Sequence, residues 1–488
     1  MPLDTEASHH PKVIVVGAGP VGCVSAMALA KLGWDVTIYE RRPDSRPSSL
    51  PALHTDVPKE NARQRSINLT LSSRGIAAIQ AIDNRIVERL LQNTVPLRAR
   101  MVHYLNGNTK SQKYDVDGQC LYSIERGNLN VILLEEAGLV ENIHIHFLHQ
   151  VQSVDFDKNN LRIRDTASGH EFNVDFDFCI GADGSHSVIR RHLMHATQME
   201  YSQHYLSHEY IEIKMPPLVD SCGQPSFPLD PDHLHVWPRG GFTIVAIPNK
   251  NKSFTCALFA PRSLFDTLQN PDAIATTFRT YFPDFFSLVG EKQLLLEIQR
   301  NPQSQLITTK ANPYHKGCVV ILGDSAHSIV PFYGQGLNCA FEDIRILSIL
   351  LGQASGPISD PSVIPRVLDE YSANRHSDLL AISDLAMDNY LKLRHGVATW
   401  SYMIKRFIDN ILYGLSAKRT MDNNILKQNI YGQEPSGWIP LYTMVSFRPD
   451  ISYSTAKQKA ERQERLLDGF GICLAVLLIL SPLGFFFL

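Results

Sequence analysis

The sequence lacks several features that would assign it to a particular class of protein. Its net charge is only −3, so the chain has no general attraction for nucleic acid. The eight cysteines form no CxxC pair and no metal-ligand spacing, which is typical of buried thiols in a reducing compartment. The first residues contain no apolar segment of a secretory signal, and no internal repeat is visible. With 488 residues, 44% of them hydrophobic, the chain is expected to bury two or more cores, as a soluble enzyme does.

The stretch 319–347 combines a short apolar run with two glycine turns. Residues 319–322 are apolar and short enough for a buried strand, and Gly323 and Asp324 then break the run. Beyond Gly336 the apolar positions recur with helical spacing, so backbone N–H groups of a helix N-terminus point out of the glycine turn. A phosphate or an electron-rich ring could bind there. An ordinary strand-to-helix crossover explains the same pattern.

Residues 13–40 predict a complete βαβ unit, with strands at 13–16 and 36–39 and a helix at 21–32. Between the first strand and the helix, Gly17, Gly19 and Gly22 form a GxGxxG turn. Glu40 ends the second strand, where its carboxylate can accept both hydroxyls of a ribose. GxGxxG alone is weak evidence, but strand, helix and terminal acid together predict dinucleotide binding. The alternative is a glycine-rich crossover with no ligand.

Two later motifs decide between FAD and a nicotinamide. DFCIGADGSHSVIR (177–190) resembles the DG motif of the single-component flavin-dependent aromatic hydroxylases, and GDSAHSIVPFYGQGLN (323–338) resembles their GD motif. This family binds FAD and uses NAD(P)H without a separate nicotinamide domain, and the three motifs stand in the family's order. The resemblance implies that the following positions contact FAD: Arg126, Asp183, Asp324, Gly336, Leu337 and Asn338.

Within that set, the resemblance implies a more detailed role for some positions. Asp324 is expected at the ribityl chain, and Gly336, Leu337 and Asn338 near the isoalloxazine ring. Arg126, in SIERGNL, is expected to reach the FAD phosphates. A surface arginine at a helix start is the other interpretation of that position.

Further segments between residues 61 and 465, such as SINLTLSSRGIAAIQAI, PLRARMVHYLNG and IPLYTMVSF, resemble one member of this family that acts on an aromatic amino acid. The resemblance implies that Arg100 and Tyr114 bind the substrate carboxylate. It places three more positions in the substrate pocket, with the first beside the flavin: Phe332, Asn389 and Tyr442. Lys392 is a departure, because some relatives carry an acidic residue there, near the substrate's α-amino group.

Arg100 also has a physical argument of its own. It begins a segment of period two, so its guanidinium can face a half-buried space in which it needs a partner. A substrate carboxylate would supply a charge-assisted, bidentate partner. Without the resemblance, a structural salt bridge to an Asp or Glu would be the preferred interpretation.

The predicted fold is α/β, with a Rossmann-like FAD-binding domain in two parts, 10–200 and 303–380. Short β-rich runs predict an antiparallel β substrate domain at 201–302, and helical spacing predicts a C-terminal helical region at 381–468. Two HxH pairs, at 144–146 and 233–235, lack further ligands nearby, so no metal site is predicted.

The resemblance implies a monooxygenase reaction. NADPH reduces the flavin, O2 adds to give a C4a-hydroperoxide, and the distal oxygen is delivered to the aromatic ring beside its amino group. Because that position is already electron-rich, no base is required to ionise the substrate. Two alternatives remain open: a hydroxylase of another aromatic acid, and a protein of this fold without a redox role, such as the relatives that chaperone prenylated GTPases.

The segment 469–488 is predicted to be a membrane anchor. Phe470 to Leu488 is uncharged for 19 residues. As a helix it would be about 28 Å long, close to the roughly 30 Å of a bilayer's hydrocarbon core. Basic residues at 457–465 favour a catalytic domain on the cytosolic side, and the resemblance implies the mitochondrial outer membrane. An amphipathic or core-packed helix is the alternative, since Ser481, Pro482 and Gly484 weaken a spanning helix.

Overall fold

The computed structural model describes residues 11–47, 68–356, 360–393, 400–416, 429–432 and 436–484, with side chains described in these ranges except at 400–403 and 470–484. The strands are β1 Lys12–Val16, β2 Asp35–Glu40, β3 Leu69–Leu71, β4 Val95–Leu97, β5 Ala99–His103, β6 Thr109–Lys113, β7 Leu121–Ile124, β8 Ile143–Phe147, β9 His149–Asp155, β10 Asn160–Asp165, β11 Glu171–Asp175, β12 Phe178–Gly181, β13 Glu200–Met215, β14 Leu218–Val219, β15 Pro225–Ser226, β16 His233–Pro238, β17 Thr243–Pro248, β18 Phe254–Pro261, β19 Ser304–Asn312, β20 His315–Lys316 and β21 Val319–Ile321. The helices are α1 Pro20–Lys31, α2 Ser73–Ile82, α3 Asn84–Leu91, α4 Arg126–Gly138, α5 Val188–Ala196, α6 Arg262–Thr267, α7 Pro271–Tyr281, α8 Pro283–Val289, α9 Glu291–Arg300, α10 Gly336–Gln353, α11 Val363–Leu391, α12 Trp400–Leu415, α13 Leu441–Phe447 and α14 Tyr453–Gly484, with 3-10 turns at Gly323–Ser325 and Pro331–Tyr333.

A six-stranded sheet forms the centre of the first core, in the order β20-β21-β12-β1-β2-β8. All neighbouring strands in it are parallel except β20, which runs antiparallel to β21. Its central strands are apolar and buried, as expected for a parallel sheet covered by helices. Helix α1 packs against both α4 and α10. The βαβ unit predicted at 13–40 and the strand, turn and helix predicted at 319–347 are both confirmed.

The glycine turn after β1 allows a very close approach of the backbone to itself. Gly17 has a φ of +104°, a conformation that favours glycine. A Cβ on Gly22 would lie 1.9 Å from the carbonyl oxygen of Gly17, so no other residue fits at position 22 without moving the turn. Gly19 has no heavy atom within 4 Å of such a Cβ. The need for glycine therefore differs among the three positions.

A seven-stranded sheet, in the order β19-β13-β18-β17-β16-β5-β6, forms the second core. Its pairs are antiparallel except β5 with β16, which are parallel, so within the range 201–302 the strands of this sheet pair only antiparallel with one another. Strands β5 and β6 come from before residue 200, and β19 from after residue 303. Residues 262–300, predicted as part of the β domain, form the four helices α6–α9, which pack on one face of the sheet.

Most of the described residues in the region 381–468, predicted to be helical, lie in helices α11–α14, and the first of these, the 29-residue α11, already begins at Val363. Among the described residues, no helix combines the length and apolar character that crossing a membrane requires. The anchor predicted at 469–488 lies outside the described residues, apart from Gly469 and the helical backbone as far as Gly484. The domain boundaries given above stay a prediction.

Candidate active site

A cavity of about 590 Å³ lies where the carboxyl ends of β1, β2, β12 and β21 face the seven-stranded sheet. Crevices at the carboxyl ends of parallel strands are the usual ligand sites of α/β sheets, and the volume suits a ligand. All of the predicted site residues line this cavity except Gly22 and Asn338. Gly22 instead lies against Gly17 and shapes the turn.

Glu40 lines the cavity at the end of β2, and most of its carboxylate is already hydrogen-bonded. Oε2 accepts from the backbone N–H of Ala18 at 2.9 Å, while Oε1 accepts from the backbone N–H and from Nε of Arg42, both at 2.9 Å. Burial alone would raise the pKa of Glu40, but the hydrogen bond and charge of Arg42 and the two backbone donors outweigh it and lower the pKa. The carboxylate is therefore ionised, and Oε2 keeps one lone pair for a further donor.

The two aspartates predicted at the cofactor differ in what they contact. Oδ2 of Asp183 accepts from the backbone N–H of Val188 at 2.6 Å, and Oδ1 accepts from Oγ of Ser325 at 3.1 Å. Asp183 therefore caps the start of α5 and ties it to the 3-10 turn that follows β21. The carboxylate of Asp324 lines the cavity, and no described residue donates a hydrogen bond to it, so it is available to a ligand hydroxyl.

The start of α10 borders the cavity through Gly336 and Leu337. Asn338 does not line the cavity, although it was predicted near the flavin ring. Its Nδ2 donates to the carbonyl oxygens of Thr70 at 2.8 Å and Gly334 at 2.7 Å, and its Oδ1 accepts from the backbone N–H of Ser72 at 2.8 Å. Asn338 is thus fully hydrogen-bonded to the protein and fixes the start of α10 against β3.

Arg126 is the first residue of α4, is exposed and lines the cavity, so its place is compatible with both interpretations given above, and its contact with the phosphates stays a prediction. Gly17 and Gly19 line the same cavity just before the N-terminus of α1, whose first turn contains no acidic residue. An arginine and a helix N-terminus facing one space form a site suited to phosphate.

Arg100 lies on β5, 8% exposed, and its Nη2 donates to Oε1 of the buried Gln112 at 3.1 Å. Beside it the rings of Tyr114 and Tyr442 stack with centroids 5.1 Å apart, and Tyr333 stacks on the other face of Tyr442 at 5.5 Å. Burial raises the pKa of Tyr442 well above its ordinary value, and the neighbouring tyrosines raise it further. The hydroxyl of Tyr442 therefore stays protonated and can donate a hydrogen bond.

Phe332 and Asn389 are joined directly, because Nδ2 of Asn389 donates to the carbonyl oxygen of Phe332 at 2.6 Å. The ring of Phe332 lies 4.8 Å from that of Phe259 and 4.5 Å from that of Tyr390. With its amide nitrogen held by a carbonyl, Asn389 presents its oxygen as the remaining acceptor. Lys392, by contrast, is exposed and does not line the cavity.

The apolar wall of the cavity was missed by the sequence reasoning. It consists of alternate residues on three neighbouring strands: Leu234, Val236, Val245, Ile247, Ala257 and Phe259. The intervening residues face the opposite side of the sheet and pack with α6–α9, as Trp237, Ile244 and Leu258 do. This period of two is visible in the sequence and could have found the wall. Tyr333 was also missed, although it directly follows Phe332.

One buried group has the geometry of a metal site. His327, Cys339 and Asp343 bring potential ligand atoms within 4.8 Å of one another. Arg375, however, donates to Oδ1 of Asp343 at 2.8 Å and to Sγ of Cys339 at 3.4 Å. A buried guanidinium already supplies the positive charge here, so the group is a structural network that joins α10 to Arg375 of α11.

Comparison with known proteins assigns the chain to a family. The sequence pattern of the FAD binding domain family matches residues 10–381. Kynurenine 3-monooxygenase of Candida albicans is 39% identical over 96% of this chain and 95% of its own length. The chain belongs to the kynurenine 3-monooxygenase family. The kynurenine 3-monooxygenases of Yarrowia lipolytica (36% identical, 93% of both chains) and Anopheles gambiae (34% identical, 94% of this chain and 86% of theirs) are also similar to it.

Solved structures share the fold at low sequence identity. The tetrameric 2-methyl-3-hydroxypyridine-5-carboxylic acid oxygenase is 18% identical, with a TM-score of 0.62 over 81% of this chain and 95% of its own. PqsL of P. aeruginosa, solved in complex with 2-aminobenzoylacetate, is also 18% identical, with a TM-score of 0.62 over 80% of this chain and 98% of its own. The chain therefore has the fold of the FAD-binding aromatic hydroxylases.

FAD is the cofactor of the chain, and the residues of the cavity fit it. A single cavity joins the helix N-terminus after the GxGxxG turn, an arginine and an ionised glutamate to Asp324, whose carboxylate accepts from no described residue, and to the start of α10. A dinucleotide needs donors for its phosphates and acceptors for its sugar hydroxyls, and the cavity is lined by both.

Proposed function

We propose that this chain hydroxylates L-kynurenine to 3-hydroxykynurenine, with FAD as cofactor and NADPH and O2 as co-substrates. The observation that carries the proposal is one cavity that joins a dinucleotide site to a buried arginine and a set of aromatic rings, in a chain of the kynurenine 3-monooxygenase family. Kynurenine has two groups that match this site: a carboxylate for the arginine and an aminophenyl ring for the aromatic side chains.

The cofactor roles follow from the donors and acceptors that line the cavity. The N-terminus of α1 and Arg126 hold the FAD phosphates, Glu40 accepts from the adenosine ribose, and Asp324 accepts from the ribityl hydroxyls. When bound, FAD would supply the redox chemistry by which electrons from NADPH activate O2 for transfer of one oxygen atom. Asp183 and Asn338 act indirectly, because their hydrogen bonds fix the two loops that carry the other groups.

The substrate roles follow from charge and shape. Arg100 binds the carboxylate, with the hydroxyl of Tyr114 beside it, and a charge-assisted contact of this kind is worth about 1.5 to 3 kcal/mol. Phe332, Asn389 and Tyr442 border the space for the aromatic ring. The apolar wall of the seven-stranded sheet excludes water from that space, so that the activated oxygen is not lost to water before it reaches the substrate.

No protein base is needed for this reaction. The aniline nitrogen of kynurenine already makes the neighbouring ring carbon electron-rich, whereas a phenol would have to be ionised first. The protein therefore acts by binding, by orienting the ring and by excluding water.

Oxidation of NADPH by the purified protein, with and without L-kynurenine, tests the function. We expect a flavin absorbance spectrum, faster NADPH oxidation in the presence of kynurenine, and a product heavier by one oxygen atom. If the protein contains flavin but hydroxylates only another aromatic acid and not kynurenine, it is a hydroxylase of that acid. Absence of bound flavin would favour the non-redox alternative, a chaperone of prenylated GTPases.

We also propose that residues 469–488 anchor the protein in the mitochondrial outer membrane, with the catalytic domain facing the cytosol. The 19-residue uncharged run and the basic residues Lys457, Lys459, Arg462 and Arg465 that precede it support this proposal. The full chain should stay with membranes after washing with alkaline carbonate, and a chain ending at Asp468 should not. Release of the full chain by carbonate would contradict a membrane-spanning anchor.

A further inference from the structure

Helix α12 exposes a stripe of large apolar side chains. Ile404 is 57% exposed, Phe407 65%, Ile411 45% and Leu415 80%. These positions are three or four residues apart, so they share one side of the helix, and we call them the α12 stripe. Four large apolar side chains in one row on a solvent-exposed surface indicate an interaction site.

The opposite side of α12 is packed against the protein, which fixes the direction of the stripe. Oδ1 of Asp409 accepts a hydrogen bond from Nε1 of Trp438 at 3.0 Å. The hydroxyl of Tyr413 donates to Oδ2 of Asp117 at 2.8 Å, and Tyr413 is buried. Because α12 is held from this side, the stripe is a fixed feature of the surface and not a helix face that could turn inward.

The α12 stripe lies beside the helix that leads into the apolar C-terminal run. Lys405, next to Ile404, forms a salt bridge with Glu464 of α14. Two residues later on α14, Leu466 is 67% exposed. The helical backbone of α14 continues to Gly484, through the residues that are uncharged in the sequence. The stripe is thus next to the point at which the chain is proposed to enter the membrane.

We infer that the α12 stripe lies in the headgroup region of a lipid bilayer, so that the protein contacts the membrane through two elements. The inference rests on the proposed anchor at 469–488, which holds α12 close to the bilayer. An amphipathic helix lying in the interface buries its apolar face and keeps basic groups near anionic headgroups. Arg462 and Arg465 are exposed on the neighbouring α14 and provide such groups.

The second contact has a mechanical consequence. A single helical anchor would leave the catalytic domain free to rotate about the membrane normal and to tilt. Contact through the α12 stripe as well restricts the tilt, because α12 is attached to the cavity-bearing part of the protein through Asp117 and Trp438.

The test uses the full chain in vesicles of phosphatidylcholine and phosphatidylinositol. An environment-sensitive fluorescent amino acid is incorporated at position 407 or 411, and, as the matched control, at position 410, where Asn410 is exposed on the flank of the same helix. We expect blue-shifted emission at 407 and 411 that is quenched by spin-labelled lipid, and aqueous emission at 410 that is quenched by iodide.

Each other outcome has a separate meaning. If the chain floats with the vesicles but positions 407 and 411 behave like 410, the anchor stands and the stripe proposal is wrong. Emission at 407 and 411 that neither quencher reaches would mean that protein covers the stripe, either residues 470–488 or a second copy of the chain, which also overturns it. A chain that does not float with the vesicles contradicts the anchor itself, and the stripe proposal falls with it.

Discussion

Gln112 accepts a hydrogen bond of 3.1 Å from Nη2 of Arg100, the residue directly opposite it across strands β5 and β6. Both side chains are buried, Gln112 at 6% exposure and Arg100 at 8%. A buried amide that accepts from a guanidinium holds it in one orientation. The proposed carboxylate-binding arginine is therefore positioned by a neighbour that does not line the cavity.

Gln112→Leu should raise the KM for kynurenine and leave FAD content unchanged. A hydrogen bond to a charged group is worth about 1.5 to 3 kcal/mol, and because Arg100 keeps its charge in this variant we expect the lower end of that range, an increase of about tenfold in KM. The value of kcat should change less, because Gln112 has no contact with the reacting ring. Lys113→Gln, on the exposed side of the same strand, is the control and should leave KM unaltered. An unchanged KM in Gln112→Leu would show that Arg100 does not need this support.

Arg100→Met should weaken kynurenine binding by about 10- to 150-fold, the equivalent of one charge-assisted contact. Methionine keeps much of the side-chain volume but removes the charge. Binding can be followed by the change in flavin absorbance on titration with kynurenine, and FAD content should match that of the wild type. Kynurenine binding at wild-type affinity would rule out Arg100 as the carboxylate partner.

Two alanine substitutions in one turn should have different effects. In Gly22→Ala the new Cβ would lie 1.9 Å from a backbone oxygen, so the turn must move and the melting temperature should fall. In Gly19→Ala the new methyl group has no protein neighbour within 4 Å but borders the cavity. That variant should fold normally and lose FAD more readily, because the methyl group occupies space needed by the pyrophosphate. Equal melting temperatures and equal flavin retention in the two variants would contradict this division of roles.

The parts of the fold that depend on local pattern could be predicted from the sequence. Strand β1, helix α1 and strand β2 follow from apolar spacing and a glycine turn within 30 residues or so, and local signals of this kind are the most reliable ones. Helices α7 and α8 also had a signal that was not used. Proline stands at the first position of each, and Asn270 caps α7 through a hydrogen bond to the backbone N–H of Ala273.

The contacts of Asn338 could not have been predicted in this way. Its partners Thr70 and Ser72 are separated from it by 268 and 266 residues, so no local pattern relates them. The same holds for Asp183, whose link to Ser325 joins two motifs across 142 residues. A motif identifies that these residues are needed near the cofactor. Only the structure distinguishes a residue that faces the cavity from one that holds its neighbour.

The stability of the protein should fall as the pH falls from 7 to 5, in part because of His235. This side chain is buried, with Nδ1 hydrogen-bonded to Nε2 of His103 at 2.8 Å and Nε2 facing the carbonyl oxygen of Asp230 at 2.8 Å. Burial, reinforced by the charges of two neighbouring histidines against the opposing effect of that carbonyl, lowers the pKa of His235 to about 4. The unfolded chain has the ordinary value near 6.5. At a pH between these two pKa values, His235 is protonated in the unfolded state but not in the folded state, so lowering the pH favours unfolding.

For His235 alone this linkage amounts to about 2 kcal/mol between pH 7 and pH 5. Urea unfolding of the wild type and of His235→Gln at the two pH values measures it, since the variant lacks the titrating group. The difference in unfolding free energy between pH 7 and pH 5 should be smaller in His235→Gln by about that amount. Phe254→Leu, a substitution beside His235 that removes neither a titrating group nor a hydrogen bond to one, should be less stable at both pH values and keep the wild-type pH dependence. The same pH dependence in His235→Gln as in the wild type would mean that His235 accepts its proton in the folded state as readily as in the unfolded one.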